Sequence, residues 1–297
     1  MMTGVFHFMA ISFGSILAAR KLRLRPSAVN RQPRGPGLSP RRGWLRQPVI
    51  VSVMLAMPID HGTAAELADP RFTVLVFSKT VGFRHDSIAQ GIAAVAALGA
   101  EHGFAVDGTE DAAYFTDAGL ARYRAVVFLN TTGEILNPSQ KAAFERYIAS
   151  GGGFVGIHSA SDTEYHWPWY GRLVGTWFAS HPQIQRATIR IGDAGHPSTK
   201  SLPAKWERTD EWYNFRTNPR SAVHVLATVD EASYSGGAMG ADHPIAWCQT
   251  IGSGRSWYTA MGHTAESYAE PLFRLHLLGG IESAAGEAQG CARSGGK

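Results

Sequence analysis

The chain has 297 residues, 44% of them hydrophobic, which suits one or two domains with a sizeable core. Its net charge is +4, but residues 1–59 hold nine of the 28 Lys and Arg residues and no Asp or Glu. The remainder is mildly acidic, with 19 basic against 24 acidic residues, which argues against a nucleic-acid-binding surface on the folded part.

Residues 1–71 are predicted to be a leader and not a folded domain. Three arginines within residues 41–46 precede an apolar run over residues 48–57, and small residues follow near Ala65. This order is typical of an export signal, and the run is too short to span a bilayer comfortably. We therefore expect an exported, periplasmic or secreted protein, cleaved near Ala65, with no stable membrane span afterwards. Two accounts of residues 1–39 stay open: a start codon assigned too far upstream, or a first apolar run that is itself the signal or anchor.

From residue 72 onward, short apolar runs alternate with helical patterns. Such alternation is typical of an α/β fold with a parallel, doubly wound sheet. The sequence predicts strands over residues 72–77, 104–107, 124–130 and 154–157, and helices over residues 87–102 and 138–150.

The second half of the folded part has a different pattern, with more aromatic residues and fewer helices. Strands are predicted over residues 184–191 and 222–229, and a hairpin over residues 244–260. A closing helix follows over residues 271–281. The small, polar tail from Gly286 is predicted to be disordered. Of the two cysteines, Cys248 is expected to be a small buried hydrophobe, and a disulfide framework is not expected.

The segment Gly151–Asp162 contains a glycine turn, a short apolar strand and a tight bend at His158. The G-x-S-x-G elbow of hydrolases uses such a bend to hold a side chain at the carboxyl end of a strand, where α/β folds bind ligands. Here His158 takes the elbow position. Asp162, four residues later, would share its face if a helix begins there, and could orient the imidazole. The neighbouring serines fit helix capping equally well.

Other candidate residues stand in predicted loops. His85, His181, His243 and His263 each follow or end a predicted element, where α/β folds keep their chemistry. Asp210 and Glu211 are adjacent, and because adjacent strand residues point to opposite faces, at most one carboxylate is expected to point inward. Arg84 and Arg255 could neutralise an anionic group. Five aromatic residues could form a wall for sugar rings, although core packing is the alternative: Trp167, Trp169, Tyr170, Trp177 and Trp212.

Several classes of site lack support. The glycines at 151–153 precede a strand and lack dinucleotide-fingerprint spacing, so no nucleotide cofactor is expected. No CxxC or HExxH motif is present, which excludes a zincin or a structural zinc module. A divalent metal site assembled from scattered His and Asp residues stays open.

Several motifs resemble the ThuA-like (trehalose utilisation) family, in the same order along the chain from about Phe72 to Gly286. They are Lys79–Ile88, Asn130–Gly133, Gly151–Ala160, Asp210–Tyr213, Met239–Ile245 and Gly254–Thr264. The resemblance implies a ThuA-like domain over residues 72–285, followed by a tail over residues 286–297. The implied fold is a flavodoxin-like three-layer sandwich with a mostly parallel, doubly wound sheet, similar to class I glutamine amidotransferases.

The resemblance also implies a carbohydrate context, including disaccharides and their oxidised 3-keto forms. Its motifs place six residues in the pocket: His85, His158, Asp162, Glu211, His243 and His263. Amidotransferases have a cysteine at the elbow, where this chain has His158, so glutaminase activity is not expected. A pair formed by His158 and His263 is expected instead, which suits proton transfer or metal binding.

The leading hypothesis is an exported protein that processes (3-keto) disaccharides or glycosides. His158 would act as a base or metal ligand, His263 as acid or second ligand, and Asp162 as the orienting group. Substrate binding is assigned to Arg84, His85, Trp167, Trp169, Glu211, Trp212 and His243. Two alternatives stay open: a non-catalytic carbohydrate-binding module that keeps an amidotransferase-like pocket, and a metal-dependent hydrolase. The partner in each case is a small carbohydrate.

Overall fold

The computed structural model describes residues 69–291. Residues 1–68, which contain most of the predicted leader, and residues 292–297 lie outside the described part. The strands are β1 (Thr73–Phe77), β2 (Ala105–Thr109), β3 (Ala125–Leu129), β4 (Gly153–Ile157), β5 (Phe178–Ser180), β6 (Gln185–Ile191), β7 (Lys205–Asp210), β8 (Asn214–Phe215), β9 (His224–Val229), β10 (Pro244–Ile251) and β11 (Gly254–Thr259). The α-helices are α1 (Ile88–His102), α2 (Asp117–Leu120), α3 (Pro138–Ala149), α4 (Pro168–Val174) and α5 (Pro271–Ala285).

Nine strands form one sheet in the order β2-β1-β3-β4-β11-β10-β9-β6-β7. The first five run parallel to one another, and the remaining four extend the sheet antiparallel. Strands β3 and β4 are buried along their whole length, as expected for parallel strands covered on both faces. Strands β5 and β8 pair separately as a small antiparallel ribbon.

Helices cover both faces of the parallel part. On one face α1 packs beside α5, and Gly280 of α5 lies against the Trp257 ring of β11. On the other face Phe144 of α3 and Tyr170 of α4 pack against Phe154 of β4. The predicted three-layer α/β fold is confirmed. Within residues 69–291, no helix has the length and apolar character needed to cross a membrane.

Most elements predicted from local patterns are found within a few residues of their predicted ends. Helix α3 begins at Pro138, where the Asn137 side chain accepts a hydrogen bond from the backbone N–H of Gln140 and so caps the helix. The predicted hairpin is formed by β10 and β11. Helix α5 continues to Ala285, beyond its predicted end.

The antiparallel extension curves around α5. In β7, Trp206 packs near His276 of α5, and the Arg208 guanidinium lies over the Phe273 ring of the same helix. Asp210, the last residue of β7, thereby reaches the loop that follows β11 and accepts a hydrogen bond from Gly262. The far edge of the sheet is therefore brought to the carboxyl ends of the central strands.

The chain end differs from its prediction. Cys291 forms a disulfide with Cys248 of β10, with their Cα atoms 5.8 Å apart. Glu287 forms ion pairs with Arg71 and Arg124. Cys248 is buried as expected. The expectations that no disulfide forms and that the chain is disordered from Gly286 were wrong for Gly286–Cys291, because the disulfide and the ion pairs hold this segment against the domain.

Candidate functional site

The tight bend after β4 is present as predicted. His158 has a φ of 51°, in the left-handed region that residues other than glycine rarely adopt. The Tyr258 hydroxyl donates a hydrogen bond of 2.8 Å to the His158 carbonyl, and a 3-10 helix over His158–Asp162 follows. The buried imidazole has its Nδ1 2.7 Å from the Ala260 carbonyl oxygen. Because a carbonyl oxygen only accepts, Nδ1 carries a proton.

His263 lies in the loop after β11, opposite the bend. Its Nδ1 is 3.1 Å from His158 Nε2, so the structure contains the expected His158–His263 pair. The buried Asp210 carboxylate accepts hydrogen bonds from the backbone N–H groups of Gly262 and His263, at 2.8 and 3.1 Å. Asp210 therefore fixes the loop that carries His263.

Glu211 connects three histidines. Its Oε2 lies 3.0 Å from His263 Nδ1 and 3.4 Å from His158 Nε2, and its Oε1 lies 2.9 Å from His181 Nδ1. Asp210 and Glu211 are both buried, so the expectation of a single inward carboxylate was wrong. Strand β7 ends at Asp210, and the alternation of faces therefore does not extend to Glu211.

His85 completes a group of four. Its ring stands edge-on to His158 and His263, with centroids 4.8 and 5.0 Å away, and its Nδ1 lies 3.4 Å from Ser159 Oγ. One donor atom each from His85, His158, Glu211 and His263 can be chosen so that all lie within 4.8 Å of one another. We call these four residues the His–Glu cluster.

Burial and mutual contacts shift the pKa values in the cluster. Burial, with the neighbouring imidazoles, lowers the pKa of His85 to about 2, so this ring is neutral. Burial alone would raise the pKa of Glu211, but hydrogen bonds with His158 and His263 outweigh it and hold the pKa well below its usual value. Burial lowers the pKa of His263, but the hydrogen bond and the charge of Glu211 outweigh burial, so the pKa is raised above its usual value.

A cavity of about 380 Å³ opens above the cluster. Phe83, with 66% of its surface exposed, stands edge-on to the His85 ring, and the Tyr213 ring packs between His158 and Phe178. Aromatic walls with a few convergent polar groups are typical of small-molecule sites. The lining residues are Phe83, His85, Asp162, Phe178, His181, Glu211, Tyr213 and His263.

Comparison with known proteins assigns the domain to a family. Residues 73–284 match the family model described as ThuA, trehalose utilisation. The chain belongs to the ThuA family. Membership implies a carbohydrate-related role. No match was found among curated protein sequences.

Solved structures agree with this assignment. A ThuA-like protein from Bacteroides uniformis is similar with a TM-score of 0.63 and 26% sequence identity, covering 73% of this chain and 93% of the other. A ThuA-like protein from Parabacteroides merdae gives a TM-score of 0.62 at 20% identity, covering 76% and 94% of the two chains. The second likeness supports the fold alone.

Asp162 lies in the cavity wall of this ThuA domain, but not as the orienting group of His158. Its Oδ1 accepts a hydrogen bond of 2.5 Å from the Tyr165 hydroxyl. The orienting contact to His158 comes instead from the Ala260 carbonyl. Burial raises the pKa of Asp162. The predicted orienting role is therefore corrected, because the 3-10 helix after the bend directs Asp162 toward Tyr165.

Three predicted sugar-binding residues lie outside the cavity lining. The exposed Arg84 side chain pairs with Glu110 through two hydrogen bonds of 3.0 and 2.6 Å. Trp167 and Trp169 stack on each other, with centroids 5.1 Å apart, and pack against Phe144 of α3. Core packing between α3 and the start of α4 accounts for these two tryptophans.

Trp212 and His243 lie behind the cavity wall. The buried Trp212 donates its indole N–H to the Gln185 carbonyl. His243 is fully buried, with Nε2 2.8 Å from the Tyr213 carbonyl and Nδ1 2.8 Å from Glu231. Both residues support Tyr213 and its neighbours without lining the cavity.

Sequence reasoning left four lining residues without a role. Phe83 belongs to the family motif Lys79–Ile88, which indicated the segment but not the ring. His181 is among the loop histidines it singled out, but its contact with Glu211 depends on the curvature of the sheet. Tyr213 belongs to the family motif Asp210–Tyr213, which indicated the segment but not the ring. Phe178 follows an aromatic stretch that gives no indication of which ring faces the cavity.

Proposed function

We propose that this ThuA-family protein processes a carbohydrate in the cavity above the His–Glu cluster, with 3-keto disaccharides or glycosides as its substrates. One observation carries the proposal: three imidazoles and a carboxylate converge at an aromatic-lined cavity large enough for a small molecule. The family supplies the carbohydrate context, and the cluster supplies groups suited to proton transfer.

A ketone at C3 of a sugar acidifies the C–H bond at C2. A base removes that proton, and the resulting enolate has two outcomes. Reprotonation at a different position gives an isomer. Alternatively the C1–O bond breaks, a C1=C2 double bond forms, and an acid protonates the departing glycosidic oxygen. Each route needs one base and one acid within hydrogen-bond reach, and the cluster and cavity wall provide imidazole and carboxylate groups.

Direct glycoside hydrolysis fits the cavity less well. It generally uses two carboxylates that flank the scissile bond, one as acid and the other as base or nucleophile. The cavity does contain Asp162 and Glu211. Glu211, however, contacts three histidines, and Asp162 is hydrogen-bonded to Tyr165. We therefore favour removal of a proton from the carbon beside the ketone over direct hydrolysis of the glycosidic bond.

The test is turnover of a 3-keto disaccharide, followed by NMR in D₂O, with the unoxidised disaccharide as substrate control. We expect deuterium at the carbon beside the ketone and new product signals with wild-type protein. His158→Ala should lose about 100-fold or more, since a placed acid or base contributes about 10²–10⁴ in rate. His166→Ala is the matched control, because this side chain is 86% exposed and pairs with Glu134. Unchanged turnover in His158→Ala would remove the proposed mechanism.

The same samples test the binding-only alternative. A carbohydrate-binding module would bind the sugar without turnover, retain affinity in His158→Ala and lose it in Phe178→Ala. Phe178 packs on Tyr213 in the cavity wall, with ring centroids 4.3 Å apart. That pattern of results would replace processing by recognition alone.

We also propose export. The disulfide between Cys248 and Cys291 supports it, because disulfides persist in oxidising compartments and are rare in the reducing cytosol. N-terminal sequencing of protein from the native cell, after fractionation, should find a mature chain that begins near Ala65. A retained Met1 or Met2 in a cytosolic fraction would contradict the proposal.

A further inference from the structure

We infer that the His–Glu cluster binds one divalent transition-metal ion of the zinc class. The inference deepens the proposed function and rests on it for what the ion would do to a sugar. Binding of the ion itself depends only on the cluster and is measured without any carbohydrate.

The first support is the spacing of three donor atoms. His158 Nε2, His263 Nδ1 and Glu211 Oε2 form a nearly equilateral triangle with edges of 3.1, 3.0 and 3.4 Å. For metal–ligand bonds of about 2.0–2.1 Å at tetrahedral angles, adjacent ligands lie about 3.3 Å apart. The triangle therefore has the dimensions of one face of a metal coordination shell, and His85 adds a fourth donor within 4.8 Å.

The second support is the direction in which the donor atoms face. His158 directs its Nδ1–H toward the Ala260 carbonyl, so its Nε2 is the nitrogen that faces His263 Nδ1 and Glu211 Oε2. Imidazole nitrogens and carboxylate oxygens are the atoms that ligate such metals, and these three converge on one another. A single cation can therefore contact all three at once.

The third support is the set of contacts that hold the donors in place. The Ala260 carbonyl fixes the tautomer of His158, and His181 contacts the second oxygen of Glu211 at 2.9 Å. Asp210 holds the backbone of His263. Metal-ligating histidines and carboxylates are generally oriented by such outer partners. The cluster therefore has its donors and also the outer hydrogen bonds that fix their direction.

The donor types select the ion. Imidazole nitrogen suits zinc and its neighbours in the first transition series, whereas magnesium and calcium prefer shells built from oxygen. His158, Glu211 and His263 beside an open cavity also match catalytic sites, in which three protein ligands leave a fourth position for water or substrate. A sugar ketone or hydroxyl would take that position, and the ion would stabilise the enolate oxygen as a Lewis acid.

The test uses full-length protein without a histidine tag. Metal content is measured by mass spectrometry as purified. The protein is then stripped with a chelator and titrated with Zn²⁺ by calorimetry, and Co²⁺ loading is followed by visible absorption. We expect one ion per chain, ligand-field bands with Co²⁺, and a rise in melting temperature on loading. Removing a residue that only orients a metal ligand costs roughly 10- to 100-fold in metal affinity, and His181→Ala should lose about that amount. His158→Ala and the isosteric Glu211→Gln remove ligands and should lose more. His166→Ala should bind zinc as the wild type does.

Stripped wild-type protein that takes up neither Zn²⁺ nor Co²⁺ would overturn the inference, whether or not the variants fold. So would equal zinc affinity in wild type, His158→Ala and Glu211→Gln. The two proposals fail separately. Stoichiometric zinc without any turnover of keto sugars removes the proposed function and leaves the metal site. Turnover that is identical in stripped and reloaded protein removes the metal from the reaction.

Discussion

Replacing Asp210 by Asn should destabilise the whole domain. The Asp210 carboxylate is fully buried and accepts from two backbone N–H groups of the loop that carries His263. It also lies 3.2 Å from Arg208 Nη1. Neither Nη1 nor Nε of Arg208 makes a hydrogen bond of good geometry. The interaction between Arg208 and Asp210 is therefore mainly the attraction between their charges. An asparagine keeps the size but loses the charge and one acceptor.

The magnitude follows from what remains around Arg208. Removing one partner of a buried ion pair costs about 3–5 kcal/mol, because the other charge stays buried. Arg208 still has Glu270, whose Oε2 is 3.0 Å from its Nε, so the lower end applies. We therefore expect a loss of about 3 kcal/mol in the free energy of unfolding, a large part of the 5–15 kcal/mol typical of a domain.

The assay is equilibrium unfolding in urea under non-reducing conditions, followed by tryptophan fluorescence and circular dichroism. Asp107→Asn is the matched control, because Asp107 is 43% exposed and pairs with Arg122, so its loss should cost less than about 1 kcal/mol. Combining Asp210→Asn with Arg208→Met should cost less than the sum of the single changes, since the unpaired charge is then absent. Equal stabilities of the two Asn variants, or strict additivity in the cycle, would refute the reasoning.

Three further changes test other parts of the fold. Replacing Gly by Ala inside a helix normally stabilises it by up to about 1 kcal/mol. A Cβ on Gly279, however, would lie 2.3 Å from the Pro197 backbone, so Gly279→Ala should destabilise the domain by about 1–3 kcal/mol. A higher melting temperature of this variant would contradict the prediction. Cys291→Ser opens a disulfide that spans 43 residues, worth about 4 kcal/mol by loop-closure entropy, and should make the melting temperature insensitive to reducing agent. His276 is fully buried, and burial, with smaller contributions from Arg208 and His196, lowers its pKa to about 3. Between about pH 6.5 and pH 3, this histidine is therefore protonated in the unfolded chain but neutral in the folded chain. The free energy of unfolding falls as the pH drops through that window, and the loss at pH 5 is about 2 kcal/mol. His276→Gln should show a smaller fall between pH 7 and pH 5, and an unchanged fall would contradict the assignment.

The fold could be predicted from the sequence where its determinants are local. Strand β4, the bend at His158 and the hairpin of β10 and β11 are each specified by a few consecutive residues. The pairing of His158 with His263 also followed, because both come after strands that end at the same edge of a parallel sheet. Family motifs then placed these local elements in one known order.

The parts that could not be predicted depend on distant packing. Trp167 and Trp169 are residues of the type that lines sugar-binding sites. They pack against Phe144 of α3 instead, because they lie on the side of α4 that faces α3. Glu211 enters the site from an antiparallel strand only because the sheet curves around α5. The bond between Cys248 and Cys291 brings together residues 43 positions apart, which no local pattern encodes.

The His–Glu cluster draws its residues from four separate stretches of chain, and His158 and His263 alone are 105 positions apart. No fragment that lacks β11 or the antiparallel extension can contain all four side chains, so a folding intermediate with only the parallel strands has no complete site. Any ligand of the complete cluster therefore binds the native state alone and raises global stability by mass action. Ligand-induced protection from amide hydrogen exchange should accordingly spread over the whole domain, including strands far from the cavity, which would make exchange a direct reporter of complete folding.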